Sequence, residues 1–336
     1  MKIGLKLNTQ FTQQDDPVQS TRELLDQVRA ARDGGFDSVW VSQHWLAKPY
    51  QAIQTWPMLG RVAAEAGEMQ VGTSIFLLTL LNPVYAAESA ATMDVITNGR
   101  FVFGLGLGYR PEEFEAFGVD IKQRGSRFEE ALEVMLRLWS EDSVTHHGKH
   151  FQLTDAVLAL KPVQRPHPPI WLAASGDAAV RRAARFGLPW LINPHASFDT
   201  ISQQMALYKE VAAASGQTLP DEVPVFKEIS IAETRERAML TAQPFVEGKY
   251  KNYSKWGLDK PMSKSESLSV VFEELVKDRF IVGTPDDVNR EIERHHDVIG
   301  ANHFLMRFQW AGMPQERVIE QIAMMSKEVI PAWHSS

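Results

Sequence analysis

A histidine and a tryptophan end the stretch GFDSVWVSQHW, which spans residues 35–45. The stretch begins as a buried strand, because its central VWV run favours β structure. It ends on His44 and Trp45, where an ordinary buried strand would simply turn. An imidazole titrates near neutral pH and can take up or release a proton. His44 and Trp45 are therefore candidates for a functional site.

A second candidate site lies in IWLAASGDAAVRRAARFG, which has the pattern of a strand, a small-residue turn and a helix. Ser175, Gly176 and Asp177 fall where this helix should begin. Backbone N–H groups at a helix start attract anions, most often phosphate, and a glycine lets the ligand approach closely. The alternative is that Ser175 or Asp177 only caps its own helix, which is common for these residue types.

The glycines of GLGLGYRPEEF invite comparison with a dinucleotide-binding motif, but the spacing differs. The run reads G-x-G-x-G rather than G-x-G-x-x-G, and it follows the fourth predicted strand rather than the first. We therefore interpret these glycines sterically. At the end of a strand they would leave room for a flat ring against the backbone.

Two further groups of polar residues carry weaker signals. The histidines of HHGKH, residues 146–150, lie in a predicted hairpin without helical i, i+4 spacing, and no carboxylate or cysteine partner is evident. This pattern does not predict a metal site. Arg124 and Arg127 fall at the start of a predicted helix. They either form a solvated helix start or reach the mouth of the fold.

Composition excludes several classes of function. The 336-residue chain contains no cysteine, which excludes disulfides, thiolate catalysis and cysteine-ligated metal clusters. The net charge of −7, without a basic cluster, argues against a nucleic-acid partner. No apolar run reaches about 18 residues, so we expect no membrane span. The residues after Met1 do not form a signal peptide, and we expect a cytoplasmic protein.

Short apolar, β-branched runs alternate with helical patterns along the chain, which predicts parallel strands joined by crossover helices. The pattern favours an α/β fold, a single (β/α)₈ barrel domain over residues 1–336, with insertions at about 109–169 and 245–280. We predict a mobile cover at the polar segment 247–268. The eight predicted strands span residues 2–8, 36–42, 70–80, 100–108, 170–175, 188–193, 224–232 and 303–309.

In such a barrel the active site lies at the carboxyl ends of the strands. This rule makes every strand tip a candidate position. The candidate residues are Asn8, His44, Trp45, Thr73, Ser74, Ile75, Phe76, Gly106, Gly108, Tyr109, Ser175, Gly176, Asn193, His195, Gln309 and Trp310.

Several ordered motifs extend over residues 1–335. They are GFDSVWVSQHW, VGTSIFLL with NPVYAAE, GRFVFGLGLGYRPEEFEAFGVD, RFEEALEVMLRLW, KPVQRPHPPIWLAASG, and VGTPDDV before HFLMRFQ. Their order and spacing resemble the bacterial luciferase-like flavin-dependent oxidoreductases. The resemblance implies a (β/α)₈ barrel with a flavin, usually FMN, at the carboxyl face. It also implies that reduced flavin activates O₂ for insertion of one oxygen atom into a small organic substrate. One branch instead uses the deazaflavin F420 for hydride transfer.

The resemblance also implies roles for individual residues. His44 matches the histidine that lies beside the flavin ring and acts as an acid or base. Ser74–Ile75 matches a bulge behind the ring, where the family often has a non-proline cis peptide. Ser175 and Gly176 match the phosphate-binding turn. The residues expected to bind the cofactor are Asn8, Thr73, Ser74, Gly106, Gly108, Tyr109, Ser175 and Gly176.

One position departs from the family pattern. Luciferase has a basic residue where this chain has Leu107. The flavin phosphate would then be held by other groups, which are Arg110, Arg124, Arg127 or mainly the backbone.

Three functions follow from this comparison. The first is an FMN-dependent monooxygenase that receives reduced FMN from a separate flavin reductase, since no nicotinamide-binding unit is evident. The second is an F420-dependent oxidoreductase, and the third is a non-catalytic flavin-binding subunit. The presence of His44 disfavours the third. We expect a homodimer. The aromatic tips Trp45, Phe76, Tyr109 and Trp310 would form an apolar substrate pocket, or else ordinary core.

Overall fold

The computed structural model describes residues 1–258 and 266–334. Its strands are β1 (Lys2–Lys6), β2 (Gln10–Phe11), β3 (Ser38–Val41), β4 (Gln51–Ala52), β5 (Gln70–Thr73), β6 (Phe76–Leu77), β7 (Phe101–Gly106), β8 (Val144–His147), β9 (Gln152–Ala156), β10 (Ile170–Ala174), β11 (Trp190–Ile192), β12 (Pro224–Ile231), β13 (Ile281–Gly283) and β14 (His303–Arg307). Its α-helices are α1 (Pro17–Asp33), α2 (Thr55–Glu65), α3 (Pro83–Ile96), α4 (Pro111–Ala116), α5 (Arg124–Ser140), α6 (Asp177–Arg185), α7 (Phe198–Ala214), α8 (Arg235–Lys255), α9 (Phe272–Val276), α10 (Pro285–Ile299), α11 (Gln315–Met324) and α12 (Ile330–His334).

Eight parallel strands close into a barrel within the described residues, and their order around it is β1, β3, β5, β7, β10, β11, β12, β14. Pairing of Ile170 with Phe103 joins β10 to β7, and pairing of Lys2 with His303 joins β1 to β14. The predicted (β/α)₈ barrel is confirmed, and each predicted strand contains one barrel strand. No helix in this part of the chain is both long and apolar enough to cross a bilayer.

Proline and polar caps define where several barrel helices begin. Asp16 accepts a hydrogen bond from the N–H of Val18 at the start of α1, and Asn82 does the same for Val84 at the start of α3. Both helices have proline at the first position, where no N–H is needed. These are the local signals that placed the crossover helices correctly in the sequence.

The third predicted strand, 70–80, is not continuous. It divides into β5, a bulge at Ser74–Ile75, the short strand β6 and a 3₁₀ turn at Leu78–Leu80. The Ser74–Ile75 peptide is cis, as the family resemblance implies. The Ser74 N–H donates to the carbonyl of Val41, 2.8 Å away, and the chain resumes with β6 paired to β7. The bulge therefore turns the chain across the barrel mouth.

Large aromatic side chains fill the interior of the barrel below this bulge. The indoles of Trp40 and Trp171 stack with their centroids 4.5 Å apart. A Cβ atom added to Gly72 would lie 2.2 Å from the Trp40 ring, and one added to Gly4 would lie 2.8 Å from its Nε1. Glycine is required at both positions because the Trp40 indole occupies the space of a side chain.

The two predicted insertions contain regular structure. The segment after β7 holds α4, α5 and the antiparallel hairpin β8–β9, whose hairpin character was expected. In the second segment, residues 247–255 belong to α8 rather than to an open loop, and Lys249, Tyr250 and Tyr253 on this helix are buried. Residues 259–265 of the predicted cover lie outside the described residues.

Candidate active site

A cavity of about 790 Å³ opens at the carboxyl ends of the barrel strands. This volume lies within the range of small-molecule and cofactor pockets. The structure brings ten of the sixteen strand-tip candidates together on its wall, Ile75, Asn193 and His195 among them, and seven of the ten were also predicted to be catalytic or cofactor-binding. These seven are His44, Ser74, Gly106, Gly108, Tyr109, Ser175 and Gly176.

His44 faces a buried carboxylate across the cavity wall. Its Nδ1 atom lies 3.4 Å from Oε1 of Glu113, which is 1% exposed. The same oxygen accepts the Trp45 N–H at 2.9 Å and Arg110 Nη1 at 3.3 Å. Burial would raise the pKa of the Glu113 carboxyl, but the contacts with His44, the Trp45 N–H and Arg110 outweigh it and lower this pKa. Glu113 is therefore an ionised partner for the imidazole.

Arg110 holds the backbone that carries His44. Its Nη1 atom donates to the carbonyl of Trp45 at 2.6 Å and its Nη2 atom to that of Leu46 at 3.1 Å. Its guanidinium lies 4.1 Å from the ring centroid of Trp256. Arg110 was a candidate for the flavin phosphate, but these contacts make it a positioning residue for the His44 loop.

The glycines at the end of β7 pack closely against the bulge between β5 and β6. A Cβ atom on Gly104 would lie 1.9 Å from the Thr73 carbonyl oxygen, and one on Gly106 would lie 1.9 Å from Cδ1 of Ile75. Glycine is therefore required at both positions by the bulge between β5 and β6, while Gly106 and Gly108 also line the cavity. Ile75 itself lines the cavity.

The turn before α6 has the features of an anion site. Gly176 is the N-cap residue, and no side chain caps the helix. The N–H groups of Gly176, Asp177 and Ala178 have no hydrogen-bond acceptor among the described residues, and all three residues line the cavity. The capping alternative for Ser175 or Asp177 is therefore not what the structure contains. Open N–H groups at a helix start favour a bound anion.

Cationic side chains stand beside this turn. Arg124 lines the cavity and has no hydrogen-bond or ion-pair partner in the described chain. Lys122 and Arg182 line the same region, although Arg182 is paired with Glu129 at 2.8 Å. Arg127 is not part of the cavity, because its Nε atom donates to the Thr79 carbonyl and its guanidinium covers Phe151. Of the three arginines considered from the sequence, Arg124 is the one that lines the cavity.

The structure places two predicted cofactor residues outside the cavity lining. Asn8 is buried, and its Nδ2 atom donates to the Gln10 carbonyl at 2.6 Å. The Thr73 hydroxyl donates to the Gly104 carbonyl at 2.7 Å. Both side chains are turned into the protein because they satisfy buried backbone acceptors there.

Three predicted pocket aromatics also lie elsewhere. Trp45 packs edge-on against Phe117, and Phe76 belongs to an aromatic cluster with Phe103. The indole N–H of Trp310 donates to Glu228 at 2.9 Å in the barrel interior. Of the four predicted pocket aromatics, Tyr109 does line the cavity, and Phe226 and Tyr253 line it as well. The hydroxyl of Tyr109 is buried without a partner among the described residues, and burial raises its pKa well above the usual value.

Sequence reasoning missed the charged residues of this site. Glu113 follows the fourth strand in the GYRPEEF motif, and Arg307 ends the eighth, inside HFLMRFQ. The available signal for Arg307 and Glu228 was a charged residue inside an otherwise apolar, buried strand. In the HHGKH hairpin, His146 has a carboxylate partner that the sequence did not suggest, Glu130 at 3.2 Å. No three metal-binding side chains converge within the described ranges.

The family model for luciferase-like monooxygenases matches residues 1–302 of this chain. The chain belongs to the luciferase-like monooxygenase family. Members of this family are oxidoreductases on a (β/α)₈ barrel, so the chain is an enzyme of this class.

Relatives within the luciferase-like family differ in cofactor. An F420-dependent glucose-6-phosphate dehydrogenase of Amycolatopsis mediterranei is 28% identical, over 98% of both chains. Among solved structures, the monooxygenase RslO1 from Streptomyces bottropensis has a TM-score of 0.85 at 22% identity, over 99% of this chain and all of that one. The oxygenating constituent of 3,6-diketocamphane monooxygenase from Pseudomonas putida, in complex with FMN, has a TM-score of 0.83 at 19% identity, over 98% of both.

Proposed function

We propose that this chain is the oxygenase component of a two-component monooxygenase, which uses reduced FMN and O₂ to oxygenate a small organic substrate. The observation that carries the proposal is the pairing of His44 with Glu113 in the same cavity as the uncapped start of α6. Reduced FMN would supply the electrons for activation of O₂. The protein supplies binding, orientation and control of protons.

The residues around the α6 turn fit the phosphate end of FMN. The N–H groups of Gly176, Asp177 and Ala178 are open, and Arg124 is unpaired in the described structure. Together they offer a phosphate monoester several backbone donors and one guanidinium. Leu107 removes the basic residue of luciferase from this region, and Arg124 with the backbone takes its place in our proposal.

His44 is proposed to be the acid–base residue. Its Nδ1 atom faces Glu113, and its Nε2 atom has no partner in the described part of the chain. An ionised carboxylate at Nδ1 fixes the orientation of the ring. Nε2 is then the atom that takes or gives a proton in the cavity.

A separate flavin reductase is proposed as the partner that supplies reduced FMN. The luciferase-like family model covers residues 1–302, and we identify no nicotinamide-binding unit in the sequence. The Pseudomonas structure is described as an oxygenating constituent, which agrees with a division of labour between two proteins.

An F420-dependent oxidoreductase is the second candidate. It is favoured by the Amycolatopsis relative, which is more similar in sequence than the two solved monooxygenases. The same His44–Glu113 pair would then receive the proton that leaves a substrate alcohol during hydride transfer. A non-catalytic flavin-binding subunit is disfavoured, because it would not need this pair.

Titration of the purified protein with FMN, reduced FMN and F420 tests these alternatives. The FMN proposal expects tight binding of reduced FMN and consumption of O₂ in the presence of an accepted substrate. Tight binding of F420 without binding of either FMN form would reject it in favour of the second candidate. Binding without turnover of any substrate would support the subunit alternative.

A further inference from the structure

A second group of charged residues lies at the floor of the cavity, around the carboxylate of Glu228 on β12. Oε1 accepts hydrogen bonds from Lys249 Nζ at 2.5 Å and from the Tyr250 hydroxyl at 2.6 Å. Arg307 binds the carboxylate in a bidentate manner, with Nη2 on Oε1 and Nε on Oε2. Side-chain exposure is 0% for Glu228 and about 5% for both cations. One buried carboxylate therefore serves two buried cations.

A third cation lies nearby without a carboxylate. Lys6 is 1% exposed, and its Nζ donates to the hydroxyl of Ser42. It lies 5.8 Å from the centroid of the Phe226 ring, and the Arg307 guanidinium lies 4.8 Å from the same centroid. Among the described residues, Lys6 forms no ion pair. Buried charge without a counter-charge is costly, so this cluster lacks negative charge.

Burial, and then the neighbouring cations, lower the pKa of both lysines. Burial, together with the Arg307 and Lys249 charges, lowers the pKa of Lys6 well below its usual value. Burial, with the Arg307 charge, lowers the pKa of Lys249 to about 7, although Glu228 opposes this. An anion placed against Arg307 would favour the charged forms of both lysines.

Arg307 connects this cluster to the cavity. It lines the cavity wall with Phe226, Tyr253 and His195. Its Nε and Nη2 atoms are used by Glu228, and Nη1 has no partner in the described structure. His195 is 8% exposed, and its Nδ1 atom is buried without a partner. Burial lowers the pKa of His195 to about 3, so this neutral ring offers a hydrogen bond rather than a charge.

The floor is separate from the phosphate turn. The turn follows β10, whereas Arg307 ends β14, and β11 and β12 lie between them in the barrel. The cavity therefore offers two positions for negative charge. If FMN occupies the first with its phosphate, as proposed above, the second faces whatever else enters the cavity.

We propose that Arg307, supported by Lys6 and Lys249, binds an anionic group of the substrate, and that the substrate is a small organic carboxylate. The identification of this anionic ligand as the substrate rests on the proposed function. A carboxylate matches the free edge of a guanidinium, and Phe226 and Tyr253 provide apolar surface for the attached carbon skeleton. Arg307 thus selects substrates by charge, whereas His44 acts on protons.

Calorimetric titration with benzoate and with benzamide tests this proposal without turnover. The two probes have nearly the same shape and differ in charge. The titration uses flavin-free protein in buffer that contains inorganic phosphate, which fills the α6 turn. We expect benzoate to bind at least about tenfold more tightly than benzamide, because a hydrogen bond between two charged groups is stronger than one to a neutral amide. Equal affinities would overturn the proposal.

Substitutions test whether benzoate binds at Arg307 and Lys6. Arg307→Gln should remove the preference for benzoate, and Lys6→Met should reduce it severalfold while leaving the Arg307–Glu228 pair in place. Arg127→Gln, outside the cavity, should keep the full preference. If Arg307→Gln fails to fold by circular dichroism, Lys6→Met decides the matter, and an unchanged preference in that variant overturns the proposal.

FMN binding is measured separately by fluorescence on the same proteins. If the wild-type protein does not bind FMN, the proposed function is contradicted, but the result of the benzoate titration remains valid. The concentration of inorganic phosphate is also raised in the benzoate titration. If phosphate displaces benzoate, benzoate binds at the α6 turn, and the proposed site at Arg307 is overturned.

Discussion

The Nδ1 atom of His44 lies 3.4 Å from Oε1 of Glu113, although the two residues are 69 positions apart in the sequence. His44 follows β3, and Glu113 lies in α4, which follows β7. The barrel brings these two crossovers together at its carboxyl end. Arg110 joins them, since it contacts Glu113 and the carbonyl of Trp45. The imidazole is therefore held by two separate parts of the chain.

We expect His44→Ala to lower turnover of an accepted substrate by about 10²-fold or more, because a positioned acid–base group contributes about that factor. Glu113→Gln should lower it less, since the imidazole remains. The FMN dissociation constant should change little in either variant. Rates are measured with reduced FMN supplied in excess. His147→Ala, an exposed histidine of the hairpin, is the control, and normal turnover in His44→Ala would remove His44 from the mechanism.

Arg124→Gln should weaken FMN binding by about tenfold or more, because it removes a charge-assisted hydrogen bond to the phosphate. Riboflavin has no phosphate, so its affinity should stay the same. Fluorescence titration of both flavins gives the ratio directly. Arg127→Gln, whose side chain faces Thr79 and Phe151, should leave both affinities unchanged. An equal loss of FMN and riboflavin affinity in Arg124→Gln would indicate structural damage instead.

Gly106→Ala should destabilise the fold by about 1–3 kcal/mol, the usual cost of overpacking a filled core. The added methyl group would meet Cδ1 of Ile75. Combining it with Ile75→Ala should give a non-additive cost, since the second change removes the clash. Urea unfolding gives the free energy of unfolding of Gly106→Ala, Ile75→Ala and the double variant. Gly60→Ala, where an added Cβ meets nothing within 4 Å, should be neutral or stabilising, and a harmless Gly106→Ala would contradict the packing described here.

Acid should weaken the fold partly through Glu222. Burial would raise the pKa of its carboxyl, but the nearby His303, 3.8 Å away, and the hydrogen bond from Lys2 at 2.7 Å outweigh burial and lower this pKa from 4.5 to about 2. The ionised form is thus stabilised by folding. That stability is present above about pH 4.5 and is lost as the pH falls toward about 2.

Glu222→Gln should therefore lower the free energy of unfolding at neutral pH, and the difference from wild type should shrink as the pH falls below about 4.5. Denaturant unfolding over this range provides the measurement. Glu68→Gln serves as control, because its side chain is 96% exposed. A difference that stays constant with pH would show that Glu222 acts through packing alone.

The fold was accessible from sequence because its signals are local. The barrel strands are short segments with apolar residues, and Pro17 and Pro83 mark the starts of two of the crossover helices. The third strand was predicted too long, since 70–80 stays apolar while the chain bends at Ser74–Ile75. Apolar character alone does not distinguish a strand from a bulge followed by a turn.

The site was accessible only in part. The strand-tip rule found His44, Ser175 and Gly176, because backbone position suffices to place them at the cavity. It failed for Trp45 and Trp310, since side-chain direction beyond the end of a strand no longer follows a period of two. Long-range partners such as Glu113 for His44 have no local pattern, because their contact exists only once the barrel closes.

The stacked indoles of Trp40 and Trp171 set a boundary for redesign of this enzyme. Ile75, Ala173 and Phe226 contact the cluster that contains them and also line the cavity, so the indoles lie directly beneath its floor. Truncating a floor residue would expose another aromatic layer rather than a deeper chamber. Room for larger substrates would have to come from substitutions in the side walls of the cavity, because the barrel core fixes its depth.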